Sequence, residues 1–265
     1  MKIAALVIIG LIVLAVAGAG WWAPYSESAQ DRMHALESPS RSHLLGTDEY
    51  GRDQLSRLLF GGRLALAAGL TATLLTLGIA LCLGSIAGFY GGWIDAALMR
   101  LAELFLAVPW LYLLLAVRAV LPLSVSQGEA FLMLIAVVGI AGWAKPARLI
   151  RGIVLSARER PYVFVARSLG ARDRYLIVRH ILPDTYGTLM AQGALLMPQY
   201  ILADVTLSFL GLGAGEPTAT WGGMLASMKH VHVLECHWGM LAPMLLIAPL
   251  FFSFHLLAHG AKNVE

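Results

Sequence analysis

The chain has 265 residues, of which 58% are hydrophobic and only 13% are charged, with a formal net charge of +3. Soluble domains carry about 25% charged residues, so this composition excludes an ordinary soluble domain and indicates burial in a membrane. The two cysteines, Cys82 and Cys236, provide neither a disulfide framework nor a spaced metal motif.

The N-terminal segment allows two interpretations. An apolar run to Gly20, with small residues at 17–19, is similar to a signal peptide. The run is longer than the usual h-region of about 7–15 residues and ends in Trp21 and Trp22, which suit a membrane interface. We expect a retained first span, and both interpretations place residue 25 onward on the outer side.

A bilayer core requires about 20 consecutive apolar residues per helix, and several runs of this kind are present. They predict an all-α integral membrane protein with six transmembrane helices, at about 3–22, 64–89, 95–118, 129–147, 187–211 and 238–258. We divide the chain into residues 1–63, the first span with an outer polar segment, and residues 64–265, a core of five spans. The fourth apolar run is short, so we expect its helix to continue through Pro146.

The distribution of basic residues predicts the orientation. Between Lys145 and Arg179 there are nine basic residues but only two acidic ones, Glu159 and Asp173. The positive-inside rule therefore places the loop at about 145–183 in the cytoplasm, together with both termini, and places 23–63 and 212–237 outside. Segment 23–63 also carries five basic residues, a mild conflict, although six acidic residues accompany them.

Residues 156–183, which we call the basic hairpin, predict a helix, a glycine turn and a second helix. Pro161 suits a first helical turn and Gly170 suits a left-handed C-terminal position. The second helix is predicted to start near Asp173 and to end at Pro183. An apolar stripe, Tyr162, Val165 and Leu169, fits either a groove on another protein or anionic lipid headgroups, and periodicity does not choose between them.

The basic hairpin resembles the EAA loop of ABC importer permeases in the peptide/nickel branch, which runs roughly YVEAARxLGAxxxxIxxRHILP. The matching residues are Tyr162, Val163, Ala166, Arg167, Leu169, Gly170, Ala171, Ile177, Arg179, His180, Ile181, Leu182 and Pro183. The chain departs at the signature glutamate, which is Phe164, and at the first alanine, which is Val165. Loss of the carboxylate at 164 removes a possible partner of Arg160 or Arg167, which puts the strength of coupling in question.

Three further segments resemble the C-type permease subunit of oligopeptide/dipeptide importers. They are HLLGTDEYGRD at 43–53, GFYGGWID at 88–95 followed by Met99-Arg100, and LSFLGLG at 207–213 followed by Pro217-Thr218 and Trp221-Gly222. The resemblance therefore extends over most of the chain.

This resemblance implies a multi-pass subunit of the bacterial inner membrane that works with a homologous second permease, two ATPases and an extracytoplasmic binding protein. The coupling residues it implies are Tyr162, Phe164, Ala166, Arg167, Leu169, Gly170, Ala171, Arg172 and Asp173. The chain has no G-x-x-x-x-G-K-[ST] sequence, so we expect a non-catalytic subunit without a cofactor, with ATP and magnesium on the partner ATPases.

Asp204, with Ser208 nearby, is the notable polar position in the fifth span. A charge inside a membrane helix is costly, so Asp204 is expected either in the translocation pathway or a subunit contact, or near the outer interface. In the third span, Glu103 is expected to pair with Arg100, and Pro109 is expected to kink the helix.

The cluster His230, His232, Glu235, Cys236 and His237 is a weak candidate metal site. Its spacing fits no zincin motif, and a solvated outer loop is the simpler explanation. Peptides are the expected transported solute. Nickel or another metal ion is an alternative substrate, and a stand-alone membrane channel is an alternative class of protein.

Overall fold

The computed structural model describes residues 2–120, 125–229 and 238–261, and in these ranges the regular secondary structure is helical. The α-helices in chain order are α1 (Lys2–Ala17), α2 (Ala19–Trp22), α3 (Gln54–Tyr90), α4 (Gly92–Ala107), α5 (Trp110–Val120), α6 (Gln127–Ala141), α7 (Ala144–Ala157), α8 (Pro161–Ser168), α9 (Asp173–Tyr175), α10 (Tyr186–Phe209), α11 (Trp221–Ala226) and α12 (Ala242–Ala261). Residues 23–53 form a largely irregular segment between α2 and α3.

Two helices among the described residues are long and apolar enough to cross a membrane, Gln54–Tyr90 and Gly128–Ala157. The second of these joins α6 and α7 and confirms that the fourth helix continues past Pro146. A bent pair, α4 and α5, qualifies as a third span if both parts are taken together, while Lys2–Ala17 and Ala242–Ala258 are shorter apolar helices.

The α3 helix begins at Gln54 rather than near residue 64, so hydropathy misplaced its start. Asp53 caps the helix, since its side chain accepts a hydrogen bond from the backbone N–H of Ser56 at 2.8 Å. The first ten residues of the helix include Gln54, Ser56, Arg57 and Arg63, so the uninterrupted apolar run starts only after them. The predicted division between residues 63 and 64 falls inside this helix.

The predicted third span, 95–118, is broken rather than merely kinked. Its two parts, α4 and α5, meet at an angle of 82°. Val108 adopts an extended conformation before Pro109, as a residue preceding proline prefers, and Pro109 supplies no N–H to continue the helical hydrogen bonding.

Glycines bring α3 and α7 into close backbone contact. A Cβ atom at Gly84 would lie 2.6 Å from the carbonyl oxygen of Ala147, and one at Gly88 would lie 2.7 Å from that of Arg151. Small residues at these positions allow the two helices to pack with little space between their backbones. Ile150 and other residues of α7 are thereby fully buried in the core cluster at this end of α3.

We expect Gly84→Ala to destabilise the protein by about 1–3 kcal/mol, because the added methyl group meets a backbone oxygen that cannot move aside. The measurement is the thermal unfolding midpoint of the detergent-purified protein. Gly78→Ala is the matched control, since a Cβ at Gly78 has no heavy atom within 4 Å and alanine favours the same helix. Equal midpoints for the two variants would contradict the packing argument.

Candidate functional site

The turn of the basic hairpin depends on Gly170. This residue has φ of +86°, a left-handed conformation that glycine adopts without strain. Its N–H donates to the carbonyl of Arg167 at 3.0 Å, and the N–H of Ala171 donates to that of Ala166 at 3.1 Å, closing the C-terminus of α8. Pro161 lies in the first turn of α8, so both predicted helix boundaries are confirmed.

One face of α8 is anchored in the core. Val163 is fully buried and belongs to the same cluster as Leu176 and Ile181 from the second half of the hairpin. Ala166 and Ala171 are half-buried and pack against this cluster. These two alanines therefore hold the turn onto the rest of the chain.

The opposite face of α8 is apolar and exposed. Phe164 is 71% exposed and Leu169 is 83% exposed, while Tyr162 and Val165 are also exposed. Arg172 and Asp173 follow directly and are exposed as well. Large apolar side chains grouped in this way mark an interaction surface.

Two arginines of the hairpin contact the C-terminal end of α3. Arg158 donates to the carbonyl oxygens of Gly88 at 3.1 Å and Phe89 at 3.2 Å, close to the C-terminus of α3. The guanidinium carbon of Arg167 lies 5.4 Å from the centre of the Phe89 ring. This end of α3 and the hairpin therefore share two hydrogen bonds and one cation–ring contact.

Arg160 is paired with the turn that precedes α10. It forms an ion pair with Asp184 at 3.0 Å, and the hydroxyl of Tyr162 donates to the same carboxylate at 3.3 Å. The hydrogen bond with Tyr162 and the charge of Asp184 raise the pKa of Arg160 above its ordinary value. Arg160 and Arg167 therefore both have partners, even though Phe164 replaces the glutamate with which either could have paired.

The second half of the hairpin does not end at Pro183 as predicted. Residues Leu176–Ile181 form a π-helical turn, Leu182–Thr185 form a 3₁₀ turn, and α10 follows at once. Proline is accommodated because it lies in the first turn of the 3₁₀ segment, where its missing N–H is not needed. The His180 ring is in contact with two tyrosine rings, with centre-to-centre distances of 6.0 Å to Tyr162 and 5.4 Å to Tyr175.

A buried cluster of charges at the other end of α3 was not predicted from the sequence. Asp48, Arg52 and Arg57 are almost fully buried, whereas the side chain of Glu216, the fourth member, is 57% exposed. The Nε of Arg52 lies 2.6 Å from Asp48, and both Arg52 and Arg57 donate to Glu216. These charged residues lie in or beside the segments that resemble the C-type permease subunit, which is a signal that the sequence offered. Arg52 and Glu216 are 164 positions apart, however, so their pairing could not be read from it.

This cluster, which we call the outer ion-pair cluster, joins two segments predicted to lie outside. Burial lowers the pKa of Arg52, but hydrogen bonds and charge interactions with Glu216 and Asp48 outweigh it and raise that pKa above its ordinary value. Nearby, the side chain of Glu27 accepts from the backbone N–H of Ala219 at 3.0 Å. The indole N–H of Trp221 donates to the carbonyl of Leu58 at 2.9 Å. Residues 216–221 are thus fixed to the start of α3.

The remaining predicted residues are placed as follows. Arg100 and Glu103 form the expected local pair at 3.2 Å, and Arg148 joins Glu103 at 3.3 Å. Asp204 and Ser208 are buried within this chain, so their assignment to the translocation pathway stays a prediction. The metal candidates His230, His232, Cys236 and His237 lie outside the described residues.

Comparison with known proteins decides the family. Residues 80–260 match the model of the binding-protein-dependent transport system inner membrane component. The chain belongs to this family. The match covers α8, Gly170 and the whole basic hairpin, which is therefore part of a transport permease.

Individual relatives resemble almost the full chain. The oligopeptide transport system permease protein OppC of Bacillus subtilis is 34% identical over 258 residues, covering 97% of this chain and 82% of the relative. The dipeptide transport system permease protein DppC of the same organism is 33% identical, covering 97% and 78%. The glutathione transport system permease protein GsiD of Pectobacterium atrosepticum is 35% identical, covering 96% and 84%.

We expect Asp48→Asn to lower the thermal unfolding midpoint of the permease markedly. The amide oxygen can still accept the backbone N–H bonds of Tyr50 and Arg52, so the variant removes mainly the charge. Arg52 and Arg57 keep Glu216 as a partner, so the loss should stay below the about 3–5 kcal/mol that a buried charge left without any partner costs. Glu49→Gln, at an exposed neighbouring position, is the control and should leave the midpoint unchanged.

Proposed function

We propose that this permease subunit works in an ATP-driven importer of peptides and that the basic hairpin docks onto a partner ATPase. The observation that carries the proposal is that α8 has one buried face and one exposed apolar face. One face is locked into the core by Val163, while the other presents Phe164 and Leu169 to solvent. Such a helix suits insertion into a groove on another protein.

The orientation proposed for the chain has the basic hairpin and both termini in the cytoplasm. A helix of the length of α3, Gln54–Tyr90, extends about 55 Å at 1.5 Å per residue, more than a bilayer core. The outer ion-pair cluster lies at its N-terminus and the hairpin lies at its C-terminus. This separation supports opposite membrane sides for the two regions, and the basic residues of the hairpin favour the cytoplasm.

We further propose six crossings, formed by α1–α2, α3, α4–α5, α6–α7, α10 and α12. By length and composition α3 and α6–α7 qualify, and α4–α5 qualifies if the bent pair is taken as one span. The helices α1 and α12 are shorter and apolar, and α10, with 24 residues, is long enough but less apolar. In this arrangement the bent pair α4–α5 is one crossing, interrupted at Pro109.

The proposed coupling is mechanical. Closure of the ATPases would push on α8, and the core contacts of Val163 with the contacts of Arg158 and Arg167 would carry that displacement to α3. The pair between Arg160 and Asp184 would carry it to α10. A rigid element between two packed arrangements suits a transition of this type.

Phe164 gives the proposed docking surface an apolar centre in place of the carboxylate that the family motif carries. Because its neighbouring arginines have other partners, the exposed ring is free to enter an apolar groove. The partner ATPase would then offer apolar side chains at the facing position. In this proposal the hairpin still couples to the ATPase, but through apolar contact instead of a carboxylate.

The proposed assembly contains a homologous second permease, two ATPases that bind ATP and magnesium, and an extracytoplasmic binding protein. This chain would be a non-catalytic subunit of it. The names of three relatives, which transport oligopeptides, dipeptides or glutathione, support a peptide substrate. A metal ion is the second candidate substrate.

We expect Leu169→Asp to abolish co-purification of the partner ATPases with the permease. A carboxylate at this exposed position leaves the fold intact but cannot enter an apolar groove. Leu44→Asp is the matched control, because Leu44 is also exposed but lies in the outer segment. Retention of the ATPases by the Leu169 variant, with both variants folded, would contradict docking through this face.

The substrate class can be tested on the binding protein encoded with the transporter. We expect a panel of di- and oligopeptides to raise its thermal unfolding midpoint, because a ligand that binds only the folded state stabilises it. Ni²⁺ serves as the comparison ligand. A shift with Ni²⁺ and none with any peptide would replace peptides by the metal ion.

A further inference from the structure

Asp204 is a buried carboxyl group in the middle of a hydrophobic contact. It lies near the C-terminal end of α10, and only 4% of its surface is exposed. Its Oδ1 accepts a long hydrogen bond of 3.4 Å from the hydroxyl of Ser208. Its Oδ2 is buried and has no hydrogen-bond partner among the residues that the structure describes.

The carboxyl borders a cavity of about 20 Å³ between three helices. The lining residues are Ala68 and Ala72 from α3, Phe131, Leu134, Ile135 and Val138 from α6, and Tyr200, Ala203 and Leu207 from α10. A space of this size holds about one water molecule. An ionised carboxylate in such a site would therefore lack the hydration that stabilises its charge.

No cation faces this site from the described residues of the helices around it. The α3 and α6 residues at the cavity are apolar, and Tyr200 is its other titratable group, with its hydroxyl 2.8 Å from that of Thr76. Helix α11 carries no ionisable residue, and His255 of α12 is exposed.

Two further elements pack against α10, namely α7 and the 3₁₀ turn Leu182–Thr185 that leads into α10. In α7, Lys145 is exposed, and Arg148 and Arg151 form ion pairs with acidic residues of α4. Asp184 in the 3₁₀ turn pairs with Arg160. Neither element offers Asp204 a counter-charge.

We propose that Asp204 is a proton-binding site, with the carboxyl group protonated on Oδ2 while α10 is packed against α3 and α6. The Ser208 hydroxyl donates to Oδ1, so Oδ1 acts as the carbonyl oxygen and the proton belongs on the other oxygen. If these helices separate, water reaches the group. The O–H bond then breaks, its electron pair stays on the carboxylate, and the proton passes to water. This inference does not depend on the proposed substrate or on ATPase docking.

The test is infrared spectroscopy of the assembled transporter in lipid nanodiscs without nucleotide. The difference spectrum between wild type and Asp204→Asn should show one protonated-carboxyl C=O band at a pH at which exposed acids are ionised. Ser208→Ala should keep that band but shift it to higher frequency, because the carbonyl oxygen loses a donor. A difference spectrum that contains only carboxylate bands would overturn the proposal.

Thermal unfolding supplies a second readout. A proton bound in the folded state and released in the unfolded state stabilises the fold less as the pH rises. The unfolding midpoint of wild type should therefore fall relative to that of Asp204→Asn with increasing pH. Parallel midpoints across the pH range would count against a protonated Asp204. If the Asn variant does not fold, the titration of the carboxyl band in wild type and Ser208→Ala decides the matter, and its absence in both refutes the site.

Discussion

The close contact between α3 and α7 is the constraint on which the rest of the structure depends. Glycines at 84 and 88 let the two backbones approach to distances that no side chain would permit. As a result, α7 delivers Arg158 to the last carbonyls of α3, and the next helix starts from that point. The direction of α8 is thus determined by helix packing in the core rather than by the conformation of a loop.

The same helix, α3, also organises the opposite end of the molecule. Asp53 caps its first turn, Arg57 lies in that turn, and Trp221 donates to the carbonyl of Leu58. The outer ion-pair cluster and the basic hairpin are therefore attached to the two ends of one uninterrupted helix. Burial of Arg52 and Arg57 is tolerated there because each guanidinium faces both Asp48 and Glu216.

The sequence predicted the features that depend on local chemistry. Pro161 and Gly170 defined the ends of α8 because each suits a particular backbone position, and basic residues marked the hairpin. Features that depend on distant partners were missed, such as the pairing of Arg52 with Glu216. Hydropathy also placed the start of α3 too late, because a capped polar turn carries no apolar signal, and it did not reveal that α4 and α5 meet at 82°.

The exposed face of α8 has a consequence for the life of the subunit in the cell. In the chain by itself Phe164, Val165 and Leu169 are exposed. Contiguous apolar surface of this kind promotes aggregation and attracts chaperones and proteases. If a partner ATPase covers this face, as proposed, balanced synthesis of the subunits would shield it.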